Sequence, residues 1–192
     1  RAEAVAAGRA PDDIKVFVGI SIIPGRTEEE ARGKHREYLR YASPEAGLAH
    51  FAASTGIDFS RYDLDDPIEY GTSNAIQSAT ELARKKQWTK RQLLGELALG
   101  GRYPLLVGTP ETIADELESW IDEGGIDGFN LARTVTPECY EDFIDLVVPV
   151  LQKRGRYKTS YGGSSLRDRL FGAGDRLPAS HPGSAFRDLR RE

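Results

Sequence analysis

The chain has one cysteine, no methionine, two tryptophans and three histidines among its 192 residues, and each scarcity excludes something. A single Cys139 cannot close an intrachain disulfide, and His35, His50 and His181 are scattered too widely for a zinc site, so no metal is expected. A reducing, cytoplasmic setting is the resulting expectation. No apolar run approaches the roughly 20 residues that a membrane span requires, which leaves no membrane partner to expect. The basic excess of a nucleic-acid binder is missing too, since the formal net charge is −4. The opening RAEAVAAG lacks both the apolar stretch of a signal peptide and an initiator methionine, and it reads as a helix entered midway.

What is present describes a soluble globular chain with a real core: 39% hydrophobic and 29% charged residues. The charge is uneven, because residues 156–192 carry +4 and the preceding body −8. That asymmetry suggests a tail lying across the body it follows.

Residues 107–155 carry the clearest pattern: a helix, a strand and a helix. Thr109 can cap the first helix, Pro110 suits its first turn and Glu111 complements its dipole. Ile113, Leu117, Trp120 and Ile121 form one apolar stripe, which the pair Gly124 and Gly125 ends. The run 127–132, DGFNLA, is too short for a helix and reads as a buried strand. A second Thr-Pro-Glu at 136–138 opens another helix, which Pro149 should kink near its end.

Upstream, IKVFVGISII at 14–23 is a β-branched and aromatic run expected to be a strand buried on both faces. Thr27 caps a helix whose first turn is Glu28, Glu29 and Glu30, and Ser43-Pro44-Glu45 opens another that ends at Gly56. Residues 57–72 read as an ordered loop, 74–86 and 90–99 as helices, and 103–107 as a short extended segment. The tail 156–192 has aromatics but no periodicity, so it is expected to be extended. Two long parallel strands cannot bury both faces by themselves, and a barrel of this type takes eight. The fold class expected is therefore α/β, with this chain the C-terminal part of a larger structure.

The segments IKVFVGISIIPGRTEEEA, TGIDFSRYDLDDP, NAIQSA, VGTPETIADELESW and DGFNLARTVTPECYEDFIDLVVPVLQKRGRYKT, with RLFG and RLPASHP in the tail, resemble the C-terminal half of the nitrilotriacetate monooxygenase family within the bacterial luciferase-like superfamily. The resemblance implies the last two strands, the seventh and eighth, of a (β/α)8 TIM barrel. Residues 1–155 would be a partial barrel domain with 24–103 as a mostly helical insertion, and 156–192 an extended tail packing on it. The activity implied is that of the oxygenase component of a two-component monooxygenase, using reduced FMN from a separate NAD(P)H:flavin reductase and O2 to oxidise a small organic substrate, in a homo-oligomer. The other class of reading is a non-catalytic fragment or subunit whose helical insertion mediates assembly. The family's main flavin-binding residues belong to strands outside this chain, so cofactor-binding residues are not assigned.

On this resemblance His50 is the candidate catalytic residue, placed to hydrogen-bond a reacting or substrate oxygen. Its plainer alternative is a helix histidine bonded to a carbonyl. Asn130 and Arg133, in the last strand and at its exit, are candidate substrate contacts, Arg133 for an anion; the alternatives are a structural amide in a buried strand and an ion pair with the acidic body. Ser21, near the end of the other strand, is a candidate of the same kind. His35 reads as a solvated surface residue, His181 as an ordering element of the tail, and Cys139 as a packing residue.

Overall fold

The computed structural model describes residues 1–68, 85, 87–99, 101, 103–163, 165–179 and 181–186. Contacts divide the chain into two compact units, 17–156 and the pair of terminal segments 1–16 and 157–192.

The larger unit is built on a parallel sheet of three strands in the order β2-β1-β3: β1 Phe17–Pro24, β2 Leu105–Gly108 and β3 Gly128–Ala132. The direct parallel pairing expected of β1 and β3 is present, from Phe17 opposite Gly128 to Ser21 opposite Ala132. Two features differ from the expectation. The short extended segment is a third strand, paired with β1 from Ser21 opposite Leu105 to Pro24 opposite Gly108, so the sheet holds more than two strands. And β1 begins at Phe17, not at Ile14, because pairing starts only where Gly128 supplies a partner; Ile14 and Val16 are exposed.

Alternation along paired strands sorts the sheet into two faces. Val18, Ile20 and Ile22 share one face with Phe129 and Leu131. Ile20 and Ile22 there enter a core with Ile113, Ala114, Leu117, Val147 and Leu151. The other face carries Phe17, Gly19 and Ser21 beside Gly128, Asn130 and Ala132. Phe17 and Asn130 on it are exposed. Burial on both faces therefore holds for β1 only from Ile20 onward.

Helix α1 (Ala2–Ala6) belongs to the terminal unit, and α2 (Glu28–Leu39) follows β1 with the expected Thr27 cap, whose Oγ1 accepts from the Glu30 amide at 3.1 Å. Helix α3 (Pro44–Thr55) is capped by Ser43 and stopped by Gly56 in the left-handed region, φ 73°. Helix α4 (Lys90–Leu97) opens with a reciprocal box between Thr89 and Gln92. Leu48 and Phe51 of α3 join Phe59, Ile68, Leu93 and Leu97 in a second core. The loop between them is ordered as expected over its described part: a 3-10 turn at Phe59–Arg61, Lys90 donating to the Tyr62 carbonyl at 2.9 Å, and a two-pronged Arg91–Asp65 contact at 2.8 and 2.9 Å. The helix expected over 74–86 lies outside the described residues except for Lys85.

Helix α5 (Pro110–Asp122) follows its reading closely, from the Thr109 cap to Gly125 at φ 65°. The last helix does not. It starts as α6 (Glu138–Asp142) from Pro137 without a side-chain cap, widens into a π-helical turn at Phe143–Val147, and resumes as α7 (Val148–Lys153). Pro149, which has no N–H and whose ring crowds the preceding turn, falls in the first turn of α7, directly after the wider π-helical turn.

In the terminal unit the tail is helical in two places where extension was expected. Helix α8 (Leu166–Phe171) is capped by Ser165, whose Oγ accepts from the Asp168 amide at 3.1 Å, and is ended by Gly172 at φ 60°. A 3-10 turn spans Pro182–Phe186, and the His181 Nδ1 accepts from the Gly183 amide at 3.0 Å, the ordering role expected of it. Elements this short show no periodicity in a sequence.

Candidate functional site at the end of the last strand

The site is a cavity of about 400 Å³ in the larger unit, at the C-terminal end of β3. Asn130, Leu131 and Ala132 of the strand form one wall and Arg133 follows them at its exit. His50 of α3 and Tyr140 of α6 enter from two helices, and Gly101 and Tyr103 come from the segment leading into β2. Three of the four residues singled out in the sequence, His50, Asn130 and Arg133, thus meet in one place although they are far apart in the chain.

Each is positioned by ordinary packing. Leu48 and Phe51 anchor α3 in the helical core, and Gly47 allows α3 to cross α4 closely: a Cβ there would stand 2.3 Å from the Leu97 carbonyl oxygen. His50 lies between those anchors in sequence and is itself exposed. Its side chain is not tied to a carbonyl among the described residues; only its own carbonyl is engaged, accepting from Ser54 Oγ at 3.0 Å. Gly19 does the same for the other wall, since a Cβ there would fall 2.3 Å from the Tyr103 ring, which lies against the strand.

Asn130 corrects the expectation of a buried structural amide. It is exposed on the open face of the sheet, opposite Gly19, and among the described residues its side chain has no protein partner. Arg133 is exposed as well and forms no ion pair among the described residues. Ser21 is not part of the cavity wall. It is fully buried opposite Ala132, and its Oγ has no hydrogen-bond partner among the described residues. Tyr103 and Tyr140 carry no signal in the sequence; Tyr140 stands three residues before Phe143, which packs against the core, and nothing local distinguishes the two.

Behind Tyr140 lies an ionic cluster that ties α6 to α2. Lys34 Nζ is 2.6 Å from Asp142, 3.8 Å from Glu138 and 3.9 Å from Glu30. Tyr38 donates to Glu138, and its phenol is pushed up from its ordinary range, first by burial, then by that hydrogen bond and the negative charge of Glu138 and Asp142. His35, expected to be solvated, is half-buried, and burial lowers its pKa. Cys139 is buried and free, a packing residue. Among the described residues no group of His, Cys, Asp and Glu is arranged to hold a metal, and no helix is long and apolar enough to cross a membrane.

Polar side chains gathered at the C-terminal end of a parallel strand, with helices on the opposite face of the sheet, are the arrangement in which α/β folds place their ligand sites. The chain belongs to the luciferase-like monooxygenase family, whose model matches residues 1–128. It is 46% identical over 193 residues to the dimethyl-sulfide monooxygenase of Hyphomicrobium sulfonivorans, covering 98% of this chain and 40% of that protein. It is 35% identical over 170 residues to nitrilotriacetate monooxygenase component A of Aminobacter aminovorans, with 85% of this chain and 38% of that protein covered. Among solved structures, a riboflavin lyase with modified FMN and riboflavin matches with a TM-score of 0.82 at 37% identity, over 96% of this chain and 41% of that one. The chain therefore spans about 40% of the length of such relatives.

Proposed function

We propose that this chain is the C-terminal part of an FMN-dependent monooxygenase, the oxygenase component of a two-component system supplied with reduced FMN by a separate flavin reductase. The observation that carries the reading is the meeting of His50, from the helical insertion, with Asn130 and Arg133 at the end of β3. Family membership and the relatives named dimethyl-sulfide monooxygenase, nitrilotriacetate monooxygenase component A and riboflavin lyase with modified FMN support it.

In this reading β1 and β3 are the seventh and eighth strands of a (β/α)8 barrel, and the face bearing Gly19, Ser21, Asn130 and Ala132 looks into its lumen. Among the described strands β1 pairs with β2 only from Ser21 to Pro24, which leaves 17–20 an edge for a further strand. The open face supports this, since a barrel fills its lumen with side chains from every strand. The enzyme is expected to be cytoplasmic and a homo-oligomer.

The residues present fit one side of a bound flavin and substrate. The cavity lies within the size range of small-molecule sites, its strand wall includes the apolar Ala132, and the polar side chains described there can all donate hydrogen bonds. Reduced flavin supplies the electrons for putting one oxygen atom of O2 on the substrate and releasing the other as water. His50 donates a hydrogen bond, or a proton, to the reacting oxygen from the insertion side. Asn130 and Arg133 orient the substrate from the strand side, and the helices of the insertion hold water away. Ser21, off the cavity wall, is left out of this set.

The test is to supply the protein that carries this chain with reduced FMN, a panel of sulfides, sulfones, alkanes and aminopolycarboxylates, and oxygen labelled with the heavy isotope. One labelled oxygen atom in a product is the result expected. Label only in water and hydrogen peroxide across the panel, with flavin demonstrably bound, contradicts the reading.

A further inference from the structure

The composition of the cavity wall runs against that of the chain. Acidic residues number 30 of 192 and outnumber the basic ones, yet among the described residues the lining contains no carboxylate. Its polar side chains are a guanidinium, an imidazole, an amide and phenols, each with a hydrogen to donate. Arg133 is a permanent cation and has no acidic partner among the described residues. Side chains of His50, Asn130 and Tyr140 likewise have no protein partner among the described residues.

Two of the three acids of the neighbouring helix are turned away, and the third, Glu141, is exposed about 100° around the helix from Tyr140. Glu138 and Asp142 flank Tyr140 in α6, and two residues along a helix is about 200° of rotation, so the helix side carrying those carboxylates is opposite the side carrying Tyr140. Both carboxylates are held near Lys34, with Asp142 at 2.6 Å. Asp142 and Glu138 thus face the Lys34 ammonium on the far side of α6, while Tyr140 lines the cavity.

A cation that among the described residues has no counter-ion, and whose described cavity lining holds donors and no carboxylate, is complementary to an anion. We infer that this cavity takes a small anionic oxygen group, a carboxylate, sulfonate or phosphate, with Arg133 opposing its charge and Asn130, His50 and Tyr140 donating to its oxygens. The inference deepens the monooxygenase reading and rests on it for the molecule to which the anion belongs, a substrate head group or the phosphate of the flavin.

The experiment is a nuclear magnetic resonance titration of the protein that carries this chain, following the Arg133 Nε–H and the Asn130 side-chain amide. The probes are sodium methanesulfonate, sodium acetate and neutral dimethyl sulfone. Saturable shifts with the anions and none with the sulfone are expected. Arg133→Gln should weaken methanesulfonate binding by about tenfold, Arg133→Lys by less, and Tyr140→Phe by about threefold. Shifts of equal size with sulfone and sulfonate, or unchanged affinity in Arg133→Gln with a native spectrum, would overturn the inference. Should Arg133→Gln lose its dispersed spectrum, the Lys and Phe variants decide by the same criterion. FMN that displaces methanesulfonate while riboflavin does not marks the anion as the flavin phosphate; displacement by neither marks it as the substrate's. Failure here leaves the oxygen-labelling result untouched, so the two readings fail separately.

Discussion

His50 reaches the cavity from an exposed position, and the packing of its helix belongs to Leu48 and Phe51. Removing its ring should therefore cost the fold within about 0.5 kcal/mol, while His50→Ala in the intact enzyme lowers product formed per flavin oxidised by about tenfold or more. Parallel thermal melts and coupling measurements check the two halves; unchanged coupling would reduce His50 to a surface residue. Ser21 makes the opposite case. Its hydroxyl is fully buried without a partner among the described residues, and an unmade hydrogen bond costs more than an absent group. Ser21→Ala in this chain should raise the unfolding free energy by about 1 kcal/mol in a urea titration, and a loss of that size would mean that the hydroxyl has a partner after all.

At the scale of elements, the tie between α2 and α6 holds Tyr140 at the cavity. Lys34 and Asp142 are both largely buried, so Lys34→Met should cost about 1–2 kcal/mol by stranding two carboxylates, discounted for their partial exposure. Tyr38 gives this tie a pH signature. Its pKa is raised in the folded chain above the unfolded value of 10.0, so the protonated phenol is favoured by folding. That stability is fully present below about pH 10 and declines as pH rises toward the folded pKa, because only the unfolded chain then gives up the proton. Tyr38→Phe should flatten the alkaline decline relative to the parent; superimposable curves would show that the hydrogen bond to Glu138 carries no weight. Elements of this kind were legible in the sequence where local chemistry decides them. Thr27, Ser43 and Thr109 each cap the helix expected of them. Thr136 does not, although its Thr-Pro-Glu is the same as that at Thr109, because here the helix begins after Pro137. The strand at Leu105–Gly108 was read only as extended, since four residues become a strand through their partner, β1, and not through any pattern of their own. For the same reason Asn130 was placed in a buried strand, when which face of a short strand is covered depends on elements distant in the chain.

For the whole molecule, one face of the sheet is covered by helices, and the other has Phe17 and Asn130 exposed; in the barrel reading proposed above, that face looks into the lumen. A cavity wall with one side present cannot offset the cost of immobilising a large ligand. The 192 residues should therefore bind FMN weakly, and a fluorescence titration giving a dissociation constant below about 1 μM would contradict the assignment of most flavin contacts to strands outside the chain. The central claim is that His50, Asn130 and Arg133 face the reacting molecules. It is tested most directly by a crystal structure of the longer protein with FMN and substrate bound. The account predicts the His50 imidazole and the Arg133 guanidinium within hydrogen-bond reach of substrate or flavin, over the C-terminal ends of β1 and β3. A flavin bound elsewhere, or a His50 side chain turned to bulk solvent away from those strand ends, would contradict it.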